Sequence, residues 1–137
     1  MKFRSTRKKS PALSFSDAML MGLAPDGGLY VPESFPKLTV NDFSNLTTTT
    51  EIGHRLLSPF FAGDQLELAL PSILKSALNF EMPLIKTKGG SDTALQVLEL
   101  FHGPTCAFKD IGARFLAGCV EEKLKSSQRQ ATILVAT

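Results

Sequence analysis

Residues 101–110 read FHGPTCAFKD: a His-Gly-Pro-Thr turn, a lysine wedged between an aromatic ring and a carboxylate, and then a helical pattern. A primary amine attacks carbonyl carbon only in its neutral form, so what matters is whether the surroundings favour that form. If Thr105 caps the helix that follows, Lys109 falls within its first turn or just past it. There the positive end of the helix dipole disfavours an ammonium ion. Phe108 adds desolvation and a flat face on which a ring can lie, while Asp110 can hold first-turn backbone amides or pair with Arg114 four residues on. The same residues also suit a solvated first-turn lysine beside a helix-end carboxylate, and local chemistry leaves both readings open.

Other reactive types are sparse. Cys106 lies four residues after His102, which suggests a Cys-His nucleophile pair, although catalytic pairs are seldom neighbours in sequence. Cys106 and Cys119 show no CxxC spacing and no clustered histidines, which argues against a zinc site or a disulfide framework and for reduced interior thiols. His54 has no second ligand at i+4 and reads as a helix-surface or core histidine.

The elements that must position Lys109 follow from periodicity. ALQVLELF, from Ala94, is a strand candidate, AFKDIGARFLAGCVEEKLK a long amphipathic helix, and QATILVAT a second apolar run of strand length, together a βαβ unit. Ile111, Phe115 and Cys119 recur every four residues, with Leu116, Val120 and Leu124 beside them. Continuous apolar strands suit a parallel sheet covered on both faces, in which ligands sit outside the carboxyl ends of the strands, where HGPT lies. The predicted fold class is therefore α/β, with residues 1–93 as an amino-terminal helical and mixed domain and 94–137 as the first βαβ unit of a parallel sheet.

Within residues 1–93, LSFSDAMLMGL carries Phe15, Ala18, Met19 and Leu23 at near-helical spacing, with Ser14 or Ser16 as cap. APDGGLYVPE is a turn and a short extended run. Thr47–Thr50 open and cap a helix that Pro59 interrupts, and DQLELALPSILKSAL gives one or two short helices broken near Pro71. MPLIKT is extended and KGGSD a loop.

Composition bounds the partners. With 137 residues, 43% of them apolar and 20% charged, the chain is an ordinary globular sequence. No apolar run approaches the roughly 18–20 residues of a membrane span, and the basic start lacks a signal-peptide core. The expectation is a cytoplasmic protein with no membrane partner. The net charge is only +2, and five basic residues fall in the first nine positions without interleaved aromatics, so no nucleic-acid partner is expected.

FHGPTCAFKD closely resembles the cofactor-lysine segment of the threonine synthase family, in its bacterial and fungal branch. STR at Ser5–Arg7 and SFSDAMLMGLAPDGGLYVPE at Ser14–Glu33 extend the resemblance over the whole chain, whereas AFKD alone points only to the wider fold-type II pyridoxal phosphate enzymes. The resemblance implies a carbon-oxygen lyase that converts O-phospho-L-homoserine and water to L-threonine and phosphate. It implies Lys109 as the catalytic residue that carries pyridoxal 5′-phosphate, and Phe108, Asp110 and Thr105 as further cofactor-binding residues, with no metal. His102, Gly103 and Pro104 would shape the loop beneath the cofactor. Cys106 occupies a variable position, and the APDGGL turn would approach the site.

In that family the strand matching ILVAT is followed by a loop and helix that bind the cofactor phosphate, an anion site at a helix amino terminus. The chain thus reads as an amino-terminal fragment, inactive by itself. Two other readings stand beside this one: a related phospholyase that eliminates phosphate from another substrate, and a non-catalytic interaction module pairing through an open strand edge. The residues say nothing of oligomeric state.

Overall fold

Four α-helices, a short 3-10 turn at Val40–Phe43 and two antiparallel strand pairs form the regular structure of the computed structural model, which describes residues 1–87, 95–127 and 129–134. The first strand pair joins β1 (Phe3–Ser5) to β2 (Tyr30–Pro32) in the register Phe3 to Pro32 and Ser5 to Tyr30. Between them runs α1 (Phe15–Met21), which begins where the Ser14 hydroxyl accepts the Asp17 amide at 3.3 Å. Gly27, at φ +77°, closes the turn ahead of β2.

α2 (Thr49–Phe61) starts in a capping box: the Thr48 hydroxyl accepts the Glu51 amide at 3.2 Å, and the Glu51 carboxylate accepts the Thr48 amide at 2.9 Å. The expected interruption at Pro59 does not occur. Pro59 sits in the last turn, where it forgoes only one hydrogen bond, to the Arg55 carbonyl. Burying Phe61, which contributes about 1.5–3 kcal/mol, holds that turn against Phe15 and Phe115. Pro71 likewise does not break a helix. It lies in the first turn of α3 (Leu70–Ala77), where no amide donor is needed.

α3 is the centre of the molecule, flanked by α2 and by α4 (Lys109–Ser127). Phe61, Leu66, Leu70, Ile73, Leu74 and Cys119 form the buried cluster, with Phe15, Met19, Leu57 and Phe115 packed around it. Gly118 lets α4 approach α3, since a Cβ there would lie 3.0 Å from Ile73 Cγ2. Polar contacts fix the helix ends. Arg114 of α4 donates to the carbonyls of Ser76 and Ala77, at 2.7 and 3.2 Å, and to Asn79 Oδ1 at 2.8 Å, which caps the carboxyl end of α3. Lys123 donates to Asp17 Oδ1 at 2.9 Å, and the buried Asp64 accepts the Ser16 amide at 2.8 Å, so α1 is tied to α4 and to the α2–α3 connection.

The second strand pair joins β3 (Leu84–Lys86) to β4 (Gln96–Leu98), with Leu84 opposite Leu98 and Lys86 opposite Gln96. β3 is the extended piece expected at MPLIKT, while the KGGSD loop lies outside the described residues except for Thr87 before it. β4 and α4 supply the strand and helix of the expected βαβ unit. Its parallel second strand does not appear in Ala131–Leu134, and residues 135–137 lie outside the described residues. Leu84, Ile85, Val97 and Leu98 are all exposed, so the described residues cover neither face of this hairpin.

Two substitutions separate burial from capping. Leu70→Ala, in the fully buried centre, should cost about 2–5 kcal/mol in urea unfolding. Arg114→Ala, which removes half-exposed cap donors at the end of α3, should cost only about 1 kcal/mol.

Candidate functional site

Lys109 is the first residue of α4, and the turn that delivers it runs over 99–108 from the end of β4. Its amine is exposed, as is the Phe108 ring beside it at 65%. Both border an open depression of about 490 Å³ lined by Leu100, Phe108, Lys109, Ile111, Gly112 and Ala113. Lysine and ring therefore share one apolar surface at the carboxyl end of a strand, as the spacing predicts.

The turn is closed by hydrogen bonds that differ from those expected. The Cys106 amide donates to the Gly103 carbonyl at 3.0 Å, and the Asp110 amide to the Ala107 carbonyl at 3.1 Å. Thr105 does not cap the helix by accepting an amide. It donates instead, from its hydroxyl to Asp110 Oδ1 at 2.7 Å and from its amide to Asp110 Oδ2 at 2.8 Å. The carboxylate is the better acceptor and reaches back across five residues, so the roles of threonine and aspartate are exchanged. These two donors hold the Asp110 carboxyl below its usual pKa, because each stabilises the charged form. Arg114 does not pair with Asp110, being committed to the end of α3.

His102 and Cys106 do not come together. His102 Nε2 bonds Glu99 Oε2 at 2.7 Å, and its ring stacks on Phe101 with centroids 4.7 Å apart. Cys106 is exposed at φ +55°, a left-handed conformation that costs a non-glycine residue about 1–2 kcal/mol. Cys119 is the interior thiol, and burial pushes it up to about 12, which leaves it protonated and inert. His54 is exposed on α2.

A second knot of hydrogen bonds joins two segments far apart in sequence. Asp26 accepts the Ser5 hydroxyl at 2.6 Å, the Gly28 amide at 2.9 Å and the Lys9 amide at 2.9 Å, while its carbonyl accepts Arg7 Nη1 at 3.0 Å. Gly28 is required: a Cβ there would lie 2.2 Å from Ser5 Oγ. These donors, led by Ser5, bring the Asp26 carboxyl down to about 2. STR and APDGG look separate in the sequence, and one aspartate binds them together.

The sequence profile described as Threonine synthase N terminus matches residues 2–78. The threonine synthase of Pseudomonas aeruginosa is 37% identical over 144 aligned positions, which cover 100% of this chain and 30% of that protein. Among solved structures, the PLP-bound threonine synthase from Brucella melitensis superposes with a TM-score of 0.82 at 36% identity, over 95% of this chain and 29% of the other. Yeast threonine synthase gives 0.81 at 32% identity, over 92% and 27%. The chain spans about 30% of the length of the curated relatives it matches.

The Asp26 knot carries a pH signature. Its carboxyl is lowered on folding, so the stabilisation is complete above the usual value of 3.8 and is lost as pH falls through about 2. Asp26→Asn should therefore melt below the wild type at neutral pH, and the gap should narrow as melting is followed from pH 3.8 towards 2. A gap that stays constant would show that the charge contributes nothing.

Proposed function

The chain belongs to the Threonine synthase N terminus family, and from that premise we propose that it forms the amino-terminal part of a threonine synthase. The enzyme would be a pyridoxal phosphate-dependent carbon-oxygen lyase that converts O-phospho-L-homoserine and water to L-threonine and phosphate, the last step of threonine biosynthesis, in the cytoplasm. Residues 1–93 would be its amino-terminal domain and 94–137 the beginning of its catalytic domain. The observation that carries this reading is the exposed amine of Lys109 beside the exposed ring of Phe108, on an apolar depression at the carboxyl end of β4.

The residues present fit pyridoxal phosphate. An aldehyde needs an accessible amine, and an aromatic ring needs a flat apolar neighbour; the turn supplies both side by side. When bound, the group supplies the electron sink for carbanions of the substrate. Lys109 would hold the cofactor and move protons at Nζ, while Phe108 would lie against its ring. Thr105 and Asp110 would belong to the site through the turn that carries Lys109, and His102, Gly103 and Pro104 through the same loop. Among the described residues no helix is long and apolar enough to cross a membrane. The phospholyase alternative would use the same residues on a related phosphorylated substrate and is told apart by its product, a keto acid in place of threonine.

Incubating the chain with pyridoxal phosphate, reducing with borohydride and mapping the adducts by mass spectrometry should place the label preferentially on Lys109. Lys109→Ala should remove that preference. Grafted in place of the matching segment of the Pseudomonas aeruginosa enzyme, this chain should support threonine formation, and the Lys109→Ala graft should lose at least about 10²–10⁴-fold in rate. The chain alone should release no phosphate from O-phosphohomoserine. Label spread evenly over the lysines together with an inactive graft would sink the proposal.

A further inference from the structure

Asp110 is 6% exposed although the residue before it is open to solvent. Each of its oxygens is already engaged, Oδ1 by the Thr105 hydroxyl at 2.7 Å and Oδ2 by the Thr105 amide at 2.8 Å. The third member of the arrangement is Gly103. A Cβ on Gly103 would lie 2.5 Å from Asp110 Oδ2 and 2.7 Å from Asp110 Cβ, so the carboxylate rests directly on the glycine backbone. A carboxylate enclosed in this way presents little surface to a ligand, whereas the adjoining Lys109 is exposed.

Resting on the reading of Lys109 given above, we infer that Asp110 is a positioning residue, whose clasp with Thr105, seated on Gly103, fixes the turn that sets Lys109 at the head of α4. It acts on the cofactor only through the place it gives the lysine. The clasp closes a loop of six residues, 105–110, so it restrains the backbone on both sides of Phe108 and Lys109. Cys106 adds the reason a clasp is needed. Its left-handed conformation, at φ +55°, is disfavoured for a side chain of its kind, and an unrestrained turn would relax out of it. The lowered pKa of Asp110 agrees with this arrangement, since the charged carboxylate is the form that accepts both donors.

The test uses the full chain and two readouts, one without cofactor. Amide exchange of Thr105 should be slow in the wild type and faster by about tenfold in Asp110→Ala, the change expected when one ordinary hydrogen bond is lost, with α3 amides unchanged. Thr105→Ser, which keeps both donors, should match the wild type. Thr105→Val keeps only the backbone donor; it should fall between, and it decides the matter if Asp110→Ala loosens α3 as well. In the borohydride mapping, Asp110→Ala and Gly103→Ala should both lower the share of label on Lys109, and Thr105→Ser should retain it. Equal Thr105 exchange in the wild type and the clasp variants, or an unaltered Lys109 share in Asp110→Ala, overturns the inference. If the wild type labels no lysine preferentially, it is the cofactor reading that fails, and the exchange result alone decides the clasp.

Discussion

The packing of α4 against α3 is the contact on which the position of the lysine turn depends. Cys119 and Phe115 enter the cluster formed by Phe61, Leu70, Ile73 and Leu74, and Gly118 allows the two backbones to come close. This apolar contact has no direction of its own, so the helix could slide or rotate along it. Directional bonds from α4 to two other helices prevent that: Arg114 caps α3 and Lys123 reaches the first turn of α1. Nine residues, about two and a half turns, separate these two, so they hold the helix from opposite sides. Asp110 then grips the turn before α4, and the amine at its head takes its place from a helix already fixed.

Carboxylates do much of the joining elsewhere. Asp26 ties the start of the chain to the turn ahead of β2, and Asp64 ties the start of α1 to the segment after α2. In each case the partners are mostly backbone amides, whose positions are already set by the fold. Such a bond orders few additional side chains and is charge-assisted, which makes it stronger than a neutral one. The contrast is Lys125, whose pairing with Glu121 and Glu122 joins exposed side chains on one helix and contributes little. Asp26 and Asp64 join distant segments through backbone partners, whereas the Lys125 pairs join nothing beyond their own helix.

These differences explain what was legible in the sequence. Helix faces were readable because Phe15, Ala18 and Met19, or Phe115 and Cys119, repeat with the period of the helix. Caps at Ser14 and Thr48 were readable because they act within three residues. Pro59 and Pro71 misled because a proline rule speaks of helix interiors, and both residues sit in terminal turns where packing decides. Thr105 misled for another reason. A threonine ahead of a helix ordinarily accepts an amide, and nothing local announces that a better acceptor five residues on will reverse the bond. The Asp26 knot and the Arg114 cap join residues 17 to 38 positions apart, so no local pattern could disclose them.

The two elements that flank the lysine turn are unequal supports. α4 is anchored by the core, whereas the β3–β4 hairpin has three residues in each strand and exposes Leu84, Ile85, Val97 and Leu98. A lone two-stranded hairpin is marginally stable in water, and its open edges offer unpaired amides and carbonyls. The position of Lys109 must therefore be set from the helix side, through contacts that run forward from Asp110, and not from the strand that precedes the turn. The clasp acts on that side. It bonds Thr105, within the turn, to Asp110 in the anchored helix, so the turn is held by the helix.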